Sequence, residues 1–201
     1  LGKLSSGRLH INNGLSTMLF ENGIVFNNYI HATRETGYFA FENCKEDIIP
    51  ELKIPGYNSG KSGGTGSSVE GQGLERLGYS SGTVTKTNNS IRYHQPTWAG
   101  HYYEVLVQWF RPAKDRIIGQ WTISNDKPSV LAKPDFTKAE PTFWPSHIAW
   151  WKDYWSRSAI RIPDELIERQ YYLDMYKFGC VARGNTPPIS LQAIWTADNG
   201  N

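Results

Sequence analysis

At 201 residues the chain is long enough for one large domain or two small ones, and long enough to bury a real core. Its 39% hydrophobic and 20% charged residues match an ordinary globular protein. A net charge of +2, without a run of like charges, gives no basis for binding nucleic acid or an anionic membrane, and no apolar run is long enough to span a bilayer.

The first 125 residues read as β. Thr17–Phe20, Gly23–Phe26 and Tyr38–Phe41 are short apolar runs, and Asn22-Gly23 between the first two is a hairpin signal. Residues 56–73 hold seven glycines and four serines, which predicts a mobile loop. Gly60-Lys61-Ser62 inside it is not a phosphate loop, because the glycine that motif needs five residues earlier is Pro55. Asn88-Asn89-Ser90 fits a glycosylation sequon, a triplet common by chance. Tyr102–Phe110 reads as a strand buried on both faces. In the next run Ile117, Trp121 and Ile123 alternate with Gln120, Thr122 and Ser124, which predicts a strand with its polar residues in water. Several strands without a helix point to an antiparallel β-sandwich over residues 1–125.

Lys127-Pro128, Lys133-Pro134 and Glu140-Pro141 then mark a proline-punctuated linker, since each proline disfavours helix in the residue before it. Within this 126–160 segment lies a tryptophan-rich helix. Trp144, Ile148, Trp151 and Trp155 recur at helical spacing, and Pro145 suits the first turn. A second helix is predicted over 163–183, opened by Pro163, Asp164 and Glu165 and closed by Arg183 and Gly184. Ile167, Tyr171, Met175, Phe178 and Ala182 form one apolar stripe on it, and Leu166, Leu173, Tyr176 and Cys180 a second. A helix apolar over so much of its circumference calls for other helices around it.

Candidates for chemistry are few. Asp164, Glu165 and Glu168 are first-turn acids of the capping kind. Glu104 sits inside an apolar strand and reads as a hydrogen-bonded carboxylate rather than a catalyst. The histidines at 10, 31, 94, 101 and 147 are scattered, with no metal-type spacing, and no Gly-x-Ser-x-Gly elbow occurs. Cys44 and Cys180 are expected to be unpaired and mostly buried. No metal or other cofactor is expected. The aromatic share is 13%, with 8 Trp and 11 Tyr, and it fits either a large aromatic core or rings that face a flat ligand such as a sugar.

The stretch from Tyr176 to Trp195 carries a more specific signal. It contains Arg183, Thr186, Pro188, Leu191-Gln192 and Ile194-Trp195, and it is preceded by Ile162-Pro163 and by Glu168-Arg-Gln-Tyr-Tyr172. This resembles the junction of the alpha-L-fucosidase group of six-hairpin glycoside hydrolases (glycoside hydrolase family 95-like). There a β-rich N-terminal domain passes through a linker into an (α/α)6 barrel. Ala193 stands where the family has glycine, and Gly184-Asn185 where it has Pro-Gly. The resemblance implies that residues 161–201 are the first helix and rim loop of such a barrel. It also implies an inverting glycosidase whose catalytic residues all lie beyond residue 201, so that none falls on this sequence. Gln192 and Trp195 come nearest the implied cleft. There Trp195 stacks on a sugar ring and Gln192 bonds a hydroxyl, or else both brace the turn. The implied partners are a carbohydrate substrate and the rest of the barrel, with no nucleic acid and no membrane, in a secreted or periplasmic protein. A non-catalytic carbohydrate-binding or scaffolding β-protein is the other reading.

Overall fold

A computed structural model describes residues 1–52, 54, 78–132 and 143–184. The loop predicted over 56–73, and both Gln192 and Trp195, lie outside these residues.

The described residues are mainly β, with one antiparallel sheet of eight strands and two α-helices. The strands are β1 (Leu4–His10), β2 (Leu15–Phe20), β3 (Val25–Ile30), β4 (Gly37–Glu42), β5 (Thr83–Lys86), β6 (Ser90–Pro96), β7 (Tyr102–Ala113) and β8 (Arg116–Asn125). Their order is β1-β2-β3-β4-β8-β7-β6-β5. Two four-strand meanders, each built from hairpins between sequence neighbours, therefore join edge to edge. The seam is the long-range pairing of β4 with β8, in register Phe41↔Ile117 to Gly37↔Trp121.

The predicted Asn22-Gly23 turn closes the β2–β3 hairpin. Gly23 adopts φ 83°, and its amide donates to Phe20 O at 2.9 Å. Strands β1, β5 and β6 escape the sequence reading. β1 and β5 are edge strands with almost every residue exposed, so neither carries the apolar alternation that betrays a half-buried strand.

Each face of the sheet has its own cover. One face carries Phe26, Phe39, Phe41, Ile91, Val105, Val107, Trp109, Ile117 and Trp121, and the segment holding Cys44, Ile48 and Leu52 packs on it. Arg111 fastens that segment by donating to Cys44 O at 2.9 Å and to Glu46 O. Two glycines make room for aromatic rings across the seam. Phe39 lies over its partner Gly119, and Trp121 over its partner Gly37.

The opposite face corrects the reading of β8. Gln120, Thr122 and Ser124 are buried, while Ile123 is 50% exposed. Residues 126–132, read as linker, fold back over this face and supply the missing partners. Gln120 donates to Ala132 O at 2.7 Å and Ser124 to Lys127 O at 2.8 Å, while Thr122 reaches Glu35 O in the β3–β4 loop. A polar side chain is buried at little cost once such bonds are made, so alternation alone named the wrong wet face.

Helix α1 (Trp144–Ser156) covers the β3–β4 end of the same face, with Pro145 in its first turn. Helix α2 (Glu165–Val181) packs on α1. Trp151, 3% exposed, stacks on Tyr176 at 5.3 Å, and the Tyr154 hydroxyl donates to Met175 O at 2.6 Å. Gly179 lets the helices approach, since a Cβ there would meet the Tyr154 and Trp151 rings at 3.0 and 3.1 Å. Asp164 is the N-cap rather than a first-turn residue, accepting from the amides of Leu166 (2.9 Å) and Ile167 (3.2 Å). The helix ends at Val181, so Arg183 lies beyond its C-cap, Ala182. Cys44 is buried as expected, but Cys180 is exposed, and both are unpaired.

Candidate functional site

The sheet–helix junction gathers buried aromatic and histidine side chains. Here Tyr29 and Tyr38 stack at 5.1 Å on the sheet, and Trp144 meets Tyr29 edge-on at 4.8 Å. His31 from the β3–β4 loop and His147 from α1 lie between them, 4% and 0% exposed, with rings 5.5 Å apart. His147 takes the Ala32 amide on Nδ1 at 3.0 Å and gives its Nε2 proton to Asn13 O at 2.6 Å. His31 takes the Thr33 amide on Nδ1 at 3.1 Å and gives its Nε2 proton to Phe143 O at 3.0 Å. A backbone amide can only donate and a carbonyl can only accept, so both rings are the neutral Nε2–H tautomer. Burial holds both below the ordinary imidazole range.

The chain leaves this junction at Arg183. Its guanidinium lies 3.8 Å over the Trp150 ring and donates to Ala32 O at 3.0 Å. Gln192 and Trp195 follow it outside the described residues.

Glu104, on β7, is the buried carboxylate among the described residues, and the sequence reading of it holds. It accepts from Arg92, from the Ser129 amide at 2.8 Å and from His94 Nδ1 at 3.2 Å. Burial pushes its pKa up. The Ser129 amide, His94 and Arg92 outweigh that and hold it below the usual carboxylate value. With its oxygens bonded to Arg92, His94 and the Ser129 amide, Glu104 anchors the 126–132 segment to β7.

The first-turn acids are structural too. Asp164 caps α2, and Glu168 accepts from the Ile162 amide at 2.7 Å. Arg161, Pro163, Glu165, Glu168, Arg169 and Tyr172 line an open cleft of about 380 Å³ there. Its arginines and glutamates balance in charge and present no converging set of donors. Among the described residues no three His, Cys, Asp or Glu side chains meet to hold a metal ion, and no helix is long and apolar enough to cross a membrane.

The β6–β7 turn is a feature that the sequence did not flag. Trp98 there is 75% exposed. Ala99 (φ 56°) and Gly100 (φ 83°) form the tight turn behind it, closed by the His101 amide on Trp98 O at 3.1 Å. Asp126 pins the strand beside it, accepting from the Tyr102 amide at 2.9 Å and from His101 Nδ1 at 2.8 Å. The result is a firmly held turn that offers an indole face to solvent next to a His–Asp pair. Only the composition, rich in tryptophan, pointed toward it.

No protein-family model, curated protein or solved structure matches the chain.

Proposed function

We propose that this chain is the N-terminal portion of a secreted or periplasmic glycoside hydrolase. In this reading residues 1–125 form its β-sandwich domain, 126–160 its linker and Trp-rich helix, and 161–201 the first helix and rim loop of an (α/α)6 barrel. The support is the resemblance from Ile162 to Trp195, together with one structural observation. α2 carries large exposed apolar side chains at both ends, Leu166 and Ile167 at 75% and 55% and Phe178 at 56%, which further barrel helices would cover. The substrate is a carbohydrate, cleaved with inversion by residues beyond Asn201, and Gln192 and Trp195 approach the sugar.

The test is to express the reading frame extended past Asn201 and assay it with 4-nitrophenyl α-L-fucoside and a panel of other aryl glycosides. Hydrolysis by the longer product and none by residues 1–201 is expected. A native stop codon directly after Asn201, or turnover by residues 1–201 alone, overturns the proposal.

Trp98 favours the second reading, a carbohydrate-binding β-protein without catalysis. An indole face beside hydrogen-bonding groups suits a sugar ring. Under it, Trp98→Ala abolishes retention on immobilised glycans while the fold persists. Unchanged retention, or none in the parent protein, refutes it.

A further inference from the structure

The two buried histidines are joined to one short loop in a way that bears on how the helices stay on the sheet. His31 and His147 each accept a backbone amide on Nδ1, from Thr33 and Ala32 respectively. Each donates from Nε2 to a carbonyl, of Phe143 at the start of α1 and of Asn13 in the β1–β2 turn. The bonds thus cross the interface in both directions. The Ala32 peptide is gripped twice, its amide by His147 and its carbonyl by Arg183.

The surroundings favour neutral rings. From the β3–β4 loop, Arg34 lies 3.8 Å over the Phe143 ring, and from beyond α2, Arg183 reaches the same loop. The sheet contributes Tyr29 and Tyr38, both held neutral by burial. Glu35, the acid of the loop, pairs instead with Lys127 at 3.4 Å. The charges that act on the pair are therefore cationic: Arg34 opposes charge on His31, and Arg183 and His31 oppose it on His147.

We propose that His31 and His147 form a proton-operated latch that holds α1, and α2 behind it, on the sheet at neutral pH and lets go in mild acid. A proton on either Nδ1 turns an acceptor into a donor aimed at a backbone N–H. That bond breaks, the amide loses its partner, and a cation is left buried among cations. His147 regains water only by leaving the interface, and α1 leaves with it; His31 regains water only if its loop shifts, which draws its Nε2 off Phe143 O at the start of α1. Trp155 Nε1 on Ile11 O and Arg183 on Ala32 O are further polar fastenings on this side, and neither compensates a buried charge. Tyr38, in the β4–β8 register, touches the pair through its ring, but the strand pairing itself is made by backbone bonds and the opposite-face core contains neither histidine, so the sheet can outlast the release.

The sign follows from linkage. A group whose folded pKa is depressed destabilises the docked state as pH falls below its free value, which is about 6.5 for histidine. Two such groups change the docked-to-released ratio by up to about 100-fold per pH unit, and one by about 10-fold.

The test uses the full chain between pH 7.5 and 4.5. Near-UV circular dichroism reports the tryptophans of α1 together with Trp109 and Trp121 of the sheet core, and far-UV dichroism reports the sheet. A cooperative partial loss of the near-UV signal below about pH 6.5, with the β signal retained, is expected. Asn in place of both histidines keeps an acceptor near Nδ1 but does not titrate, so H31N/H147N should lose the transition. If that variant does not fold, NMR of the parent decides. Two of the five histidine Cε1–H resonances must then keep neutral shifts until the tryptophan signal goes. Two rings that titrate freely with the near-UV spectrum intact, or a transition unchanged in H31N/H147N, overturn the latch.

Discussion

Gly119→Ala is the sharpest probe of the seam between the two meanders. A Cβ at Gly119 would lie 2.1 Å from Phe39 Cζ and 2.5 Å from Cε1. Comfortable carbon contact needs about 3.5–4.0 Å, so the ring must retreat by roughly 1.5 Å. It has little room, because Phe26 and Phe41 stand at 6.4 and 6.1 Å and all three belong to one core. Overpacking of this kind costs about 1–3 kcal/mol. Gly119 lies outside the left-handed region, so alanine also gains roughly 0.4–1 kcal/mol by restricting the unfolded chain. The net expectation is a loss of about 1–2 kcal/mol in urea unfolding followed by circular dichroism. The same change in a Phe39→Ala background should stabilise by roughly 0.4–1 kcal/mol, since the clash is gone. A coupling energy of about 2 kcal/mol between the two positions follows. If Gly119→Ala costs as much without Phe39 as with it, the ring-over-glycine contact is not what fixes this position.

Glu104→Gln should cost about 1–3 kcal/mol at pH 7, because Arg92 loses its charged partner at a site where the carboxylate side chain is 11% exposed. The folded pKa is depressed, so the parent's advantage over the variant exists above the ordinary value of 4.5 and fades as pH falls below it. Urea midpoints of the two proteins that stay equally far apart down to pH 2.5 would count against the ion pair. Burial pushes Tyr38 and Tyr93 up to about 12, so both stabilise the fold below pH 10 and lose that effect as pH rises through 12. Absorbance at 295 nm should show these phenols ionising late, with unfolding. Full ionisation near pH 10 in a folded protein would contradict their burial. On α2, Leu166→Gln, Ile167→Gln and Phe178→Gln together should abolish concentration-dependent self-association in sedimentation velocity. A parent that stays monomeric shows that these exposed side chains are harmless.

Local chemistry made the hairpins and helices legible. Asn22-Gly23 marks a turn because glycine accepts a positive φ, and the tryptophans of α1 mark a helix because they recur on one side. The edge strands were invisible for the matching reason. β1 and β5 bury almost nothing, so no periodic signal exists to be read. β8 was legible as a strand but not as to which face is wet. That depends on carbonyls supplied by residues 126–132, which are remote in space until the chain folds back.

The junction shows the same limit at a finer grain. His147 sits three residues after Trp144 and four before Trp151, on the stripe that the periodicity marks as buried, so its burial was readable from the sequence. What it does there was not. Its tautomer is set by Ala32 and Asn13, far back in the chain, and by the fact that an amide can only give a proton and a carbonyl only take one. A histidine on an apolar helix face is therefore ambiguous until its two nitrogens have named partners. Once both partners are backbone groups and the nearby charges are cations, the ring works only while neutral. The acid sensitivity of the junction follows from that pairing alone.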